Sequence, residues 1–168
     1  MTANTCRLLI LGVGNTLLGD EGLGIACLHA LQDAMATQPS AVLAPTWMDG
    51  GTLSFTLAPA IADHDALLVL DAAELGGAPG DIHVAEGEAM DAFIGSHRKR
   101  SVHEVGLVDL MSISLLSGHW PARRALVGMQ PQLIAWSDRM STPVAAAMPA
   151  MVAQAIACIL RWESAAMG

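Results

Sequence analysis

The stretch Arg7-Leu8-Leu9-Ile10-Leu11-Gly12-Val13-Gly14-Asn15-Thr16-Leu17-Leu18-Gly19-Asp20-Glu21-Gly22-Leu23-Gly24 reads as a buried strand, a glycine-rich turn and the entry to a helix. Residues 7–13 are the apolar strand, and from Gly22 the positions Leu23, Cys27, Ala30, Leu31 and Ala34 recur at helical spacing. Glycines in such a turn let backbone approach a ligand, and this turn also delivers two adjacent carboxylates, Asp20 and Glu21. Two phosphate-binding readings fail on spacing. The dinucleotide fingerprint needs a third glycine where Leu17 stands and an acid roughly 20 residues further on, and Asp49 comes too late. A P-loop needs Gly-Lys-Ser/Thr, which does not follow. A purely structural strand-to-helix turn explains the glycines but not the paired acids, so the turn points to chemistry with a metal.

The same unit recurs along the chain. Ala41 to Met48 is a second strand, ending in Asp49-Gly50-Gly51-Thr52 and followed by a weaker helical stretch through Ile61. Ala66-Leu67-Leu68-Val69-Leu70-Asp71 has no polar alternation until its last residue, as expected of a central parallel strand covered on both faces. Its carboxylate sits at the carboxyl end. Ala72 to Gly80 is a loop, Asp81 to Glu86 a short edge strand, and Glu88 to Ile94 a short helix leading into the basic loop Arg98-Lys99-Arg100. Ser101-Val102-His103-Glu104 matches a capping box and opens a helix over 103–117, with Leu107, Leu110, Met111 and Leu115 as its buried stripe and Gly118 as its stop. Arg124 to Met129 is the last strand, and Thr142-Pro143 starts a final helix carrying Val144, Met148, Met151, Ala155, Ile159 and Trp162. Alternating strands and helices predict an α/β fold: one domain over residues 1–168, a three-layer α/β/α sandwich around a mostly parallel, roughly five-stranded twisted sheet. Ligands in such folds gather at the carboxyl edge of the sheet.

Composition narrows the function classes. A chain of 168 residues that is 53% apolar and 14% charged supports a single core. No apolar run approaches the roughly 20 residues of a membrane span, and the N-terminus lacks the pattern of a signal peptide, so a cytoplasmic protein without membrane insertion is expected. Cys6, Cys27 and Cys158 are odd in number and lack C-x-x-C spacing, which argues against a disulfide framework and a thiolate metal site. A net charge of −8 excludes nucleic acid as a natural partner. With no sustained heptad pattern, a monomer is the expected free state.

If the strands are parallel, three loops converge on one edge and bring Glu21, Asp71 and His103 together. Two carboxylates and an imidazole suit a divalent transition metal with open positions. In the first turn of its helix His103 meets the positive end of the macrodipole, which disfavours the imidazolium and leaves the neutral form that ligates metal. Singly, each residue has a structural explanation: Glu21 as a first-turn acid, Asp71 as a loop cap, His103 as a surface histidine. Asp20 reads as the structural member of its pair, and Asp49 as a further acid at the cleft. His29, His64, His83, His97 and His119 lack comparable partners and read as surface or core residues.

These blocks resemble the hydrogenase maturation endopeptidases, which process the C-terminus of the large subunit of nickel-iron hydrogenases. The resemblance runs through Gly12-Val13-Gly14-Asn15, Asp20-Glu21-Gly22-Leu23-Gly24, Asp49-Gly50-Gly51-Thr52, Leu70-Asp71-Ala72, Pro79-Gly80, Ser101-Val102-His103-Glu104-Val105-Gly106-Leu107 and Leu126-Val127-Gly128-Met129-Gln130-Pro131. It implies that Glu21, Asp71 and His103 are the metal-contacting and catalytic residues. The partner it implies is a hydrogenase large-subunit precursor, and the nickel is supplied by that precursor rather than permanently bound. The serines lack a nucleophile elbow and the cysteines a basic partner, so attack by water, aided by the metal or a carboxylate, is the simplest route. Two other readings are a non-catalytic escort that checks the nickel-loaded precursor and, from the sheet alone, a nucleotide-dependent enzyme. Arg98 to Arg100 are placed to steer the precursor's tail, and Trp47, Phe93 and Trp120 are candidates for an exposed apolar contact, against the alternative of core packing.

Overall fold

The runs of residues without polar alternation become the middle of the sheet. The computed structural model describes residues 6–37, 43–53, 55–96 and 104–167. Its strands are β1 (Cys6–Gly12), β2 (Leu43–Asp49), β3 (Ala66–Ala72), β4 (Ile82–Glu86) and β5 (Arg123–Met129), in the order β2-β1-β3-β5-β4. Only β4, at the edge, runs antiparallel to its neighbour. All seven residues of central β3 are buried. Each of its leucines contributes about 1.5–3 kcal/mol by leaving water.

Strand alternation divides the core in two. Leu8, Ile10, Leu68, Leu70 and Val127 face α1 (Leu23–Met35) and α5 (Thr142–Met167). Leu9, Leu11, Leu67, Val69 and Leu126 face α2 (Ala58–Ala62), α3 (Glu88–Gly95) and α4 (Glu104–Leu116). This is the expected three-layer sandwich. One 3-10 turn, Asp20–Gly22, precedes α1, and another, Phe55–Leu57, precedes α2. Thr142–Ala165 has the length and mean hydropathy, 1.9, of a membrane span, yet Val144, Met151, Ala155, Cys158 and Ile159 bury its apolar stripe in the core.

One expectation is corrected. Leu107, Leu110 and Met111 are buried as expected, but Leu115 is half exposed and Ser114 takes its place in the interior. At about 100° per residue, position 114 returns to within about 20° of Leu107, whereas 115 is rotated about 80° away. The stripe follows the angle, not the hydrophobicity. Ser101 and His103 of the capping box, together with Arg98, Lys99 and Arg100, lie outside the described residues.

At the opposite edge from the expected site, Arg124 locks α3 to β5. Its Nε and a terminal nitrogen donate to the two oxygens of Asp91 at 2.8 and 2.5 Å, and Trp120 Nε1 donates to the same carboxylate at 2.9 Å. The guanidinium holds the Asp91 carboxyl below its usual range. On the other face, α1 sits so close to the sheet that a Cβ at Gly24 would run into the carbonyl oxygens of Leu70 and Val13. Gly24→Ala should therefore lower stability by about 1–3 kcal/mol, although Ala is the better helix former. Urea denaturation measures this, and a stabilised variant would contradict the close approach.

Candidate functional site

The carboxyl edge is assembled by backbone hydrogen bonds between loops. Val13 N–H donates to Leu70 O at 2.9 Å, binding the end of β1 to β3 one residue before Asp71. Gly14 N–H donates to Gly51 O, and Gly50 N–H to Gly12 O, both at 2.8 Å, so the turn after β2 is stitched to the same place. Gly14 has φ +147°, and a Cβ there would overlap the carbonyl of Glu21. Only glycine lets the turn fold back so closely on the segment that bears the acids. Asp49, expected at the cleft, is exposed at this edge and accepts the N–H of Gly51 at 2.8 Å, capping its own turn.

The two neighbouring acids differ sharply. Asp20 is fully buried and accepts from the N–H groups of Gln132 and Leu133 at 2.9 Å each, from Ser141 N–H at 2.6 Å and from the Ser141 hydroxyl at 2.7 Å. Burial pushes its pKa up, but these donors outweigh burial and hold the carboxyl below its usual range. Asp20 is thus the structural member of the pair, as expected, and it clamps the loop after β1 to the loop after β5. Glu21 is 8% exposed, in a turn packed against β3, and Asp71 is completely buried on β3 itself. Two carboxylates therefore reach the ends of adjacent parallel strands. Burying such charges is costly.

His103, the expected third member, lies outside the described residues. The helix that follows it begins at this edge, because Gly106 packs on Leu53, just past the turn after β2. Among the described residues no group of three or more His, Cys, Asp or Glu side chains could hold a metal ion. Thiol chemistry finds no support in the buried cysteines: burial pushes Cys27 up to about 12 and Cys158 up to about 11, far from a reactive thiolate.

Other residues occupy the places that sequence reasoning gave them or depart from those places. His64 is structural, its ring nitrogens lying 2.6 Å from Ala60 O and 2.9 Å from Thr46 Oγ1. His83 is exposed and stacks on Phe93, ring centroids 4.9 Å apart, beside a cavity of about 330 Å³ lined also by Leu75, Asp81 and Ile82. Asp71 and His83 are both in register with Gly128, on either side of β5. Gln130 accepts from Leu75 N–H at 2.6 Å and donates to Glu74 at 2.9 Å, fixing the loop after β3. Of the two readings for the aromatic candidates, core packing holds: Phe93 is buried, Trp47 and Trp120 pack partly buried against the core, and Trp120 is also engaged with Asp91. Large exposed apolar side chains of this edge include Leu17, Leu133, Ile134 and Trp136 on the loops after β1 and β5, and Phe55 past the turn after β2. They lie in loops or a short turn without periodicity, so pattern reading had no signal for them.

Comparison with known proteins agrees with this architecture. A family model described as hydrogenase maturation protease matches residues 25–158. The hydrogenase expression/formation protein HupD of Rhizobium leguminosarum bv. viciae is 33% identical over 157 residues, covering 93% of this chain and 75% of the relative. HupM of Azotobacter chroococcum mcd 1 is 34% identical over 158 residues, covering 94% and 73%. The solved structure of the hydrogenase maturating endopeptidase HybD from E. coli superposes with a TM-score of 0.79 at 28% identity, covering 92% of this chain and 93% of that one.

Proposed function

Since the chain belongs to the hydrogenase maturation protease family, we propose that it removes a short C-terminal peptide from the nickel-loaded large-subunit precursor of a nickel-iron hydrogenase. In this reading Glu21, Asp71 and His103 recognise nickel as part of the substrate. The supporting observation is the pair of buried carboxylates at the carboxyl ends of β1 and β3. Oxygen and imidazole donors contact a divalent metal without competing for it as thiolates do, so the nickel stays with the precursor. The contact orients the scissile bond, and one of the two carboxylates takes the proton of the attacking water. A precursor lacking nickel leaves that bond out of place. The reaction belongs to the cytoplasm, where the free thiols Cys6, Cys27 and Cys158 stay reduced.

Mass spectrometry of nickel-loaded and nickel-free precursor after incubation with the protein tests the proposal. Loss of a C-terminal peptide from the loaded precursor alone is the expected result. Equal cutting of both would remove nickel as the gate. A loaded precursor that binds but is never cut would make the protein an escort.

A further inference from the structure

We propose that the loops over 17–19 and 133–137 form a rigid apolar platform on which the folded body of the large-subunit precursor docks while its tail reaches Glu21 and Asp71. The inference rests on the processing reaction proposed above and adds the surface that selects its substrate. Leu17, Leu133 and Ile134 are about half exposed and Trp136 is 82% exposed. The loops that carry them are bonded to each other: Gly19 N–H to Ser137 O at 2.9 Å, Asp20 N–H to Leu133 O at 3.0 Å and Ser137 N–H to Leu17 O at 3.0 Å. Asp20 clamps the same loops through Gln132, Leu133 and Ser141. The apolar groups are therefore held in place before any partner arrives, which lowers the ordering cost of binding.

Position and area identify the occupant. Glu21 stands two residues past the platform's first loop, and Asp20 between them is bonded to Leu133 of the second, so a chain that brings its end to Glu21 passes beside both loops. The four side chains offer roughly 450 Å² of apolar surface, the size of a functional patch on a monomer. A stable pair of subunits needs about 800 Å² from each partner. The platform is too small to hold a second copy, yet it suits a transient substrate that is gripped at the cleft as well. A second exposed apolar spot, Leu115 and Leu116, lies at the far end of α4, about 20 Å along the helix from its first turn. It serves as the internal control.

Steady-state processing of nickel-loaded precursor by Trp136→Ser, by Leu133→Ser/Ile134→Ser and by Leu116→Ser tests the platform. The first two should raise KM about tenfold with kcat within about twofold, and the third should change neither. An unchanged KM in both platform variants, or an equal rise in Leu116→Ser, overturns the inference. A binding readout separates it from the reaction: with cleavage-blocked Glu21→Gln protein, the precursor should shield Trp136 from acrylamide quenching, and adding Trp136→Ser should weaken precursor binding about tenfold in a titration. If the wild-type protein cuts no precursor but shows this shielding, the reaction fails and the platform stands. Absence of shielding despite cutting sinks the platform alone. A wild-type dimer in sedimentation that Trp136→Ser dissolves would give the surface to a second copy and overturn the proposal.

Discussion

Asp71→Asn and Glu21→Gln should each slow processing of nickel-loaded precursor by about 10²–10⁴-fold, while the protein melts no earlier than the parent. The amide keeps the shape of the carboxylate but loses the charge that contacts a metal and the basicity that takes a proton from water. Stability is expected to hold, because each substitution keeps the shape of the side chain and removes a buried charge whose lost hydration is a cost of folding. Loss of activity with a level or raised melting temperature is the signature of residues kept for function at the expense of stability. A mass-spectrometric time course beside a thermal melt reads both. His103→Ala belongs in the same series, and full activity in all three variants would refute the site assignment.

The fold was legible wherever burial is two-sided. Leu67 to Leu70 admits one reading because a strand covered on both faces cannot carry polar alternation, and the Val144-to-Trp162 stripe declared α5 by its spacing. Edge placement of β4 followed from its shorter, alternating run. Asp71 was legible because it ends an apolar run and Glu21 because it stands in the glycine-rich turn that follows one, and parallel strands bring both places to one edge. The misreading of Leu115 shows what a list of apolar residues omits: the helical angle chose Ser114 for the interior. Trp136 was illegible for a different reason. Its loop is held by Asp20, more than 110 positions earlier in the chain, and no local pattern records a bond of that range.

Asp20→Ala should cost about 3–5 kcal/mol, the largest stability loss at this edge, since it strands the buried N–H groups of Gln132, Leu133 and Ser141 at once. The loss should depend on pH with a definite sign. The donors around Asp20 hold its folded-state pKa below the unfolded value of about 3.9, so the stabilisation is fully present above that value and disappears as pH falls through the folded pKa. Urea denaturation of parent and variant should therefore diverge most near neutrality and converge in acid; a gap that stays constant into acid would show that the charge on Asp20 contributes nothing. Loosening the clamp also frees the loop that carries Trp136, so Asp20→Ala should raise KM for the precursor even where the remaining protein is folded. Its neighbour gives the opposite signature, activity lost with stability kept. That contrast between Asp20 and Glu21 tests whether the first loop divides its two acids between holding the edge together and acting on the substrate.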